Sequence, residues 1–313
     1  MKVNKAVITA AGRGTRQYPA TSVVQKEMLP LVDRDGLTKP VVQIIAEEAF
    51  EAGIEQICIV VSPGDEQQAR QHFRAIEQDL LPAFAGKEWA LRESEKLASM
   101  EQALTFAVQQ TPEGFGHAVY QSRDFVGDEP FLLLLGDHIY INQNGYRCAR
   151  QLIDAYNLTN ADAVSAVKRT PASLLHLFGT IRGIPVENSN QLYLVDAIEE
   201  KPSIDYATKY LGTRGLPPGQ FLCHFGMHVF SAAIFDCLEH LIRNDLRSSG
   251  EIQLTTAQQL LRNRVRDYYC CELAGERYDT GIPFGLMEAQ LGLALAGVYR
   301  QEIVESVARL LAQ

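Results

Sequence analysis

The chain has 313 residues, enough for one large α/β domain or two smaller ones with a substantial core. Its 46% hydrophobic and 21% charged residues are an ordinary balance for a globular protein, and a net charge of -9 argues against general nucleic-acid binding. Six cysteines without C-x-x-C spacing argue against a disulfide framework or a thiolate metal site. No run nears the roughly 18 apolar residues of a membrane span and no secretory signal opens the sequence, so a cytoplasmic protein off the membrane is expected.

The first apolar run, Ala6 to Ala11, reads as a short buried strand, and Gly12-Arg13-Gly14-Thr15-Arg16 then turns the backbone sharply with its N–H groups exposed. Such a loop can cradle phosphate: the glycines admit an anion close to the backbone, Thr15 adds a hydroxyl donor, and the planar fork of Arg16 suits a pair of phosphate oxygens. Two glycines alone are a weak signal. Gln17 stands where G-x-G-x-x-G needs its third glycine, and no G-K-[ST] follows. Lys26 strengthens the reading as a lone cation in a segment of small and apolar residues.

Lys39-Pro40 starts a helix with Val41, Ile44, Ile45, Ala49 and Ala52 on its apolar side, ending at Gly53. Gln56 to Ser62 reads as a buried strand, which completes a parallel β-α-β unit. Residues 65–81 look helical, 86–103 are ambiguous, and Leu104 to Gln109 makes a third strand. Gly114 to Val119 opens another helix, and Phe131 to Leu135 is a central strand ending at Gly136-Asp137. The second half is richer in strands, at Ala163 to Val167, Gly179 to Ile181, Leu192 to Val195 and Cys223 to Phe230, with helices at 232–242 and 252–262. From Gln301 onward, Ile303, Val304, Val307, Leu310 and Leu311 mark an amphipathic helix that docks on the body or meets a partner subunit. The expected fold is α/β, a Rossmann-like three-layer mixed, mainly parallel sheet with helices on both faces. It spans 1–313 as a single domain with a C-terminal helical segment at about 284–313.

Ligands of open parallel sheets bind beyond the carboxyl ends of the strands, where Gly12 to Arg16, Ser62, Gln109-Gln110 and Asp137 converge. Asp137 ends a strand too apolar for a casual carboxylate, so it faces a cation or water; His138 beside it reads as a neighbour of the site. Asp279 in Tyr278-Asp279-Thr280-Gly281 is alone a turn or capping residue, but paired with Asp137 it becomes the other half of an oxygen-rich Mg²⁺ site. Glu200 and Lys201 offer an acid for sugar hydroxyls beside a lysine for a phosphate. His224 and His228, four apart in a strand pattern, are expected to lie well apart as ordinary core or surface histidines.

Together these residues resemble the sugar-1-phosphate nucleotidyltransferases, most closely the bacterial UTP–glucose-1-phosphate uridylyltransferases. The likeness covers nearly the whole chain through Ala11 to Pro30 (A-G-x-G-T-R…P-A-T…K-E-M-L-P), Gly114 to Ala118, Glu200-Lys201-Pro202, Gly250 to Thr255, and Tyr278 to Gly281. The resemblance implies the nucleotide-diphospho-sugar transferase fold and condensation of UTP with glucose 1-phosphate assisted by Mg²⁺. It places Ala11, Gly12, Gly14, Thr15, Arg16 and Lys26 at the triphosphate and Gln109 and Gly114 at the uracil. Asp137 and Asp279 would hold the metal, and Gly179, Glu200 and Lys201 would take the sugar phosphate; Arg16, Lys26, Asp137 and Lys201 would carry the chemistry. It also leaves room for a homo-oligomer through the C-terminal helices. Departures are an insertion around Arg34 to Thr38, Ser22 for a common lysine, Gln25 for a proline, Gly-Asp-His at Asp137, and Thr280 for a cysteine. The alternatives are dTTP or another sugar 1-phosphate on the same fold, or a catalytically silent nucleotide-sugar-binding regulatory protein.

Overall fold

The computed structural model describes residues 2–142 and 144–313. Its first half runs β1 (Lys5–Ala10), β2 (Pro30–Val32), β3 (Thr38–Pro40), α1 (Val41–Glu51), β4 (Gln56–Val61), α2 (Glu66–His72), α3 (Glu88–Gln102), β5 (Leu104–Val108), α4 (Phe115–Tyr120), α5 (Arg123–Val126), β6 (Phe131–Leu135) and β7 (His138–Ile141). The second runs α6 (Cys148–Thr159), β8 (Ala163–Pro171), β9 (Thr180–Pro185), β10 (Leu192–Glu199), α7 (Ile204–Tyr210), β11 (Gln220–Phe230), α8 (Ala233–Arg243), α9 (Leu254–Arg264), β12 (Tyr268–Glu272), β13 (Glu276–Asp279), α10 (Pro283–Ala296) and α11 (Arg300–Leu311).

Nine strands form one sheet in the order β5-β4-β1-β6-β11-β8-β12-β10-β9. β1 lies between β4 and β6 and is parallel to both. The chain therefore winds away from β1 in both directions, and a crevice opens at that reversal beyond the carboxyl ends of the strands. Alternate residues of β4 serve two cores: Ile57, Ile59 and Val61 pack with α1 and α6, whereas Cys58 and Val60 pack with α4, α8 and α9. That is the three-layer arrangement expected. Phe131 to Leu134 of β6 are fully enclosed, each burial contributing roughly 1.5–3 kcal/mol, which makes β6 a rigid base for Asp137.

The sheet is mixed, but less parallel than the expectation of a mainly parallel one. Four of its pairings are parallel and five are antiparallel. One of these reversals follows from connection length: the short β9–β10 link joins only antiparallel neighbours, whereas a parallel pair needs a long crossover. The helix expected over 65–81 stops at His72, where Phe73 is buried and the apolar Leu80 and Leu81 that follow are exposed. The ambiguous stretch is α3. Strands β8, β9 and β10 run beyond Val167, Ile181 and Val195, since each continues half-exposed after leaving the core.

Two small ribbons stand outside the large sheet, β2–β3 and β7–β13. The Arg34 to Thr38 insertion is the turn of the first. Lys39 is buried there between Asp33, Asp35 and Glu47 at 2.9, 2.6 and 2.9 Å, and Val298 N donates to Arg34 O, seating the turn on the α10–α11 junction. All six cysteines are free and buried. Among the described residues no helix is long and apolar enough to cross a membrane.

Candidate active site

The glycine loop leaves β1 at the reversal point and lines a cavity of 580 Å³ together with Lys26, Gln109, Gly114 and Asp137. Ala11, Gly12 and Thr15 contribute directly. At Gly12 a Cβ would stand 3.0 Å from Lys26 Nζ, so the missing side chain is what lets the ammonium cross the loop. Gly14 lines neither this cavity nor its neighbour. It has φ +64°, a Cβ on it would press on Thr21, and Thr21 Oγ1 donates to its carbonyl at 2.9 Å; its work is to shape the turn. Ser62 Oγ donates to Ala11 O at 3.0 Å and pins the loop to the end of β4.

Gln109 is buried after β5, and its Nε2 donates to Gly114 O at 3.1 Å. Gly114, with φ +117°, lies so close to Ile252 that a Cβ would come within 2.8 Å of the Ile252 carbonyl oxygen. Ile252 N donates to Glu113 O and Gly116 N donates to Ile252 O. The Gly114 to Ala118 and Gly250 to Thr255 motifs are thus one packed unit. Gln17, at the position of the missing third glycine, is buried and donates through Nε2 to Thr280 O at 2.7 Å, tying the loop to the second acid.

Asp137 and Asp279 meet because β13 pairs with β7 in a register that sets Asp279 opposite His138. Thr280 closes the junction, with its N and Oγ1 both donating to Asp137 O at 2.8 Å. One ligand atom from each of Asp137, His138 and Asp279 lies within 4.8 Å of the others. Lys26 Nζ stands 2.6 Å from Asp137 Oδ2, and Arg16 Nη1 3.6 Å from Asp279 Oδ2. Burial would raise the pKa of Asp137, but its charged neighbours outweigh burial and hold it below the usual carboxylate range. His138, Lys26 and Arg16 all act in that direction, Lys26 also through its hydrogen bond, while burial pushes His138 itself down to about 4. Glu27, enclosed beside Lys26, is pushed up to about 8 by burial.

A second cavity of 260 Å³ adjoins the first, lined by Arg16, Gly179, Glu200, Lys201, Asp137 and Asp279 among others. Asp137 lines both. Thr255 Oγ1 donates to Glu200 Oε2 at 2.5 Å, so the Gly250 to Thr255 motif also aims the acid after β10. Lys201 has φ +46° and its N donates to Phe178 O, which turns the chain at the pocket edge. His224 and His228 are not apart: their rings meet edge to face at 5.0 Å. The pairing of β11 with β8 shifts register between them, where Gly226 adopts φ +82°, and this bulge shortens the separation that a regular strand, rising about 3.3 Å per residue, would keep between them. Both histidines line the second cavity, as does Arg277, which lies two residues before Asp279 on the same side of β13. Arg277 is not singled out in the sequence, although the period-2 register with Asp279 is an available signal, and the two histidines read there as ordinary core or surface residues.

Residues 5–294 match the family described as Nucleotidyl transferase. The UTP–glucose-1-phosphate uridylyltransferase of Bacillus subtilis (strain 168) is 37% identical over 297 residues, covering 94% of this chain and 92% of that protein. A UTP-bound UGPase from Acinetobacter baumannii aligns with a TM-score of 0.78 at 26% identity, covering 98% of this chain and 99% of that one. A UDP-glucose pyrophosphorylase complexed with UDP-glucose aligns at a TM-score of 0.74 and 26% identity, over 92% of this chain and 97% of the other. With matches running nearly end to end, and the glycine loop and paired acids gathered at one crevice, the chain belongs to the nucleotidyl transferase family.

Proposed function

We propose that this protein is a UTP–glucose-1-phosphate uridylyltransferase, condensing UTP and glucose 1-phosphate to UDP-glucose and pyrophosphate. The observation that carries the reading is Asp137, which lines both cavities, so that a nucleotide in the larger and a sugar phosphate in the smaller would meet at one carboxylate. In the larger, Ala11, Gly12, Thr15 and Lys26 take the triphosphate, while Gln109 and Gly114 take the uracil. In the smaller, Gly179, Glu200 and Lys201 take the sugar phosphate. Residues 1–313 act as one nucleotidyltransferase domain, and the free buried cysteines fit a cytoplasmic setting.

The reaction asks little acid–base chemistry of the protein. A phosphate monoester has a second pKa of about 6, so its oxygen is already ionised when it attacks the α-phosphorus in line; the bond to the β-phosphate oxygen breaks and pyrophosphate leaves. The obstacle is repulsion between two polyanions, which Arg16, Lys26 and Lys201 offset while the loop and Glu200 hold the reactants in line. Two carboxylates with neighbouring oxygens are a donor set suited to a hard cation, so Asp137 and Asp279 would hold Mg²⁺. When bound it would supply charge neutralisation at the phosphates. Lys26 and Arg16 are paired with those acids here, Lys26 with Asp137 and Arg16 with Asp279.

The test is pyrophosphate release from UTP or dTTP with a panel of sugar 1-phosphates, with and without Mg²⁺. Metal-dependent turnover greatest with UTP and glucose 1-phosphate is expected; no release from any pair overturns the reading. We further propose that the protein self-associates through its C-terminal helices. Phe284, Met287, Leu291 and Leu295 lie at helical spacing on an exposed face of α10, and α11 buries none of its residues.

A further inference from the structure

Three full cations line the smaller cavity, Arg16, Lys201 and Arg277. Arg16 has Asp279 at 3.6 Å and Lys201 has Glu200 at 3.9 Å. Among the described residues Arg277 has no carboxylate within 4.0 Å, although its guanidinium is held firmly. It rests 4.2 Å above the Phe178 ring, and Nη1 donates to the His224 carbonyl at 3.0 Å. That is the sole hydrogen bond it makes to the described chain, which leaves the rest of its planar fork free. A desolvated guanidinium without a counter-ion is costly unless an anion completes it.

We infer that Arg277 is a phosphate-binding residue of the sugar subsite, gripping the phosphate of the incoming sugar 1-phosphate together with Lys201. Charge and placement both point there. The substrate brings one anionic group into this cavity, a phosphate of charge about -1.5 to -2 near neutrality, and Lys201 and Arg277 together supply the matching positive charge. Phe178 joins them: Lys201 N donates to its carbonyl while Arg277 lies on its ring. Sugar hydroxyls accept hydrogen bonds but do not neutralise a cation, so they do not account for the missing partner. An arginine fork also matches a phosphate edge with two parallel bonds, which a lysine does not.

The inference rests on the proposed uridylyltransferase reading, and kinetics separate the two. If the wild-type protein releases no pyrophosphate from UTP and glucose 1-phosphate, that reading fails first. If it does, R277Q is expected to raise KM for glucose 1-phosphate about 10- to 100-fold, as for loss of a charge-assisted bidentate pair, with KM for UTP changed less than about twofold. R277K, which keeps the charge but loses the fork, is expected to raise it by a smaller factor. Inhibition by free glucose, which has no phosphate, should be unaltered in both variants, and each should melt in a single cooperative transition. Should R277Q not fold, R277K carries the test. An unchanged KM for glucose 1-phosphate in the folded variant, or an equal loss for free glucose and glucose 1-phosphate, overturns the assignment.

Discussion

Gly281 faces the gap between the two acids. A methyl group there would stand 2.7 Å from Asp137 Oδ2, 2.9 Å from Asp279 Oδ1 and 3.1 Å from Arg16 Nη2. Ordinary contact begins near 3.4 Å, so in Gly281→Ala each oxygen must retreat by about half an ångström or more, and the two retreat from the same point. The backbone at Gly281 is outside the left-handed region, so alanine adds no conformational strain. The displaced atoms end flexible side chains, and the expected stability cost stays below about 1 kcal/mol. Turnover is different, because spreading the carboxylates proposed to hold a metal that demands near-ideal geometry, and with them the reacting phosphates, is expected to cost on the order of 10²-fold, about 2.7 kcal/mol. The assay is the initial rate of pyrophosphate release over a range of Mg²⁺ concentrations, beside a thermal melt. Gly212→Ala, where an added Cβ meets nothing within 4 Å, is the control and should match the wild type. A folded Gly281→Ala with wild-type turnover would refute the idea that the two carboxylates form one centre.

Glu27 offers a pH test. Burial raises its pKa from 4.5 to about 8, so the folded state keeps a proton that the unfolded chain releases, and stability falls as pH rises across that window. Glu27→Gln removes this loss: its thermal midpoint should gain on the wild type between pH 5 and pH 8, by about 2–4 °C per kcal/mol, and parallel curves would refute the assignment. Leu291→Glu puts a charge in the exposed face of α10. Sedimentation is expected to find a wild-type oligomer and a smaller variant; a monomeric wild type at micromolar concentration would sink the self-association proposal.

Much of this site could be read from local pattern. The strand into Gly12, the apolar run ending at Asp137, and the Glu200-Lys201 pair are each signalled within a few residues, because strand burial and glycine turns are local physics. What stayed hidden depends on pairing between distant segments. Gln17 looked like a failed fingerprint, yet it reaches Thr280. His224 and His228 looked separated until the bulge at Gly226 brought their rings together. Arg277's one signal was its period-2 register with Asp279, and its significance lies in what the fold places around it: an aromatic face, a carbonyl and, among the described residues, no carboxylate within 4.0 Å. The α3 segment was ambiguous because its only enclosed residues are Ala90 and Met100, too few for a clear apolar stripe.

The β7–β13 ribbon has a consequence for how the molecule is made. Among the described residues β7 has no strand partner but β13, and the two acids lie on either side of most of the second half of the chain. At about 5–20 residues per second, translation separates the appearance of Asp137 from that of Asp279 by roughly 7–30 s. Throughout that interval Ile139 and Ile141, enclosed in the finished protein, have no neighbouring strand. A nascent chain can already own the glycine loop, Lys26 and Asp137 and still lack the second carboxylate. The pair of acids proposed to hold the metal is therefore complete only once β13 has been made, and a polypeptide truncated before β13 would be born without it.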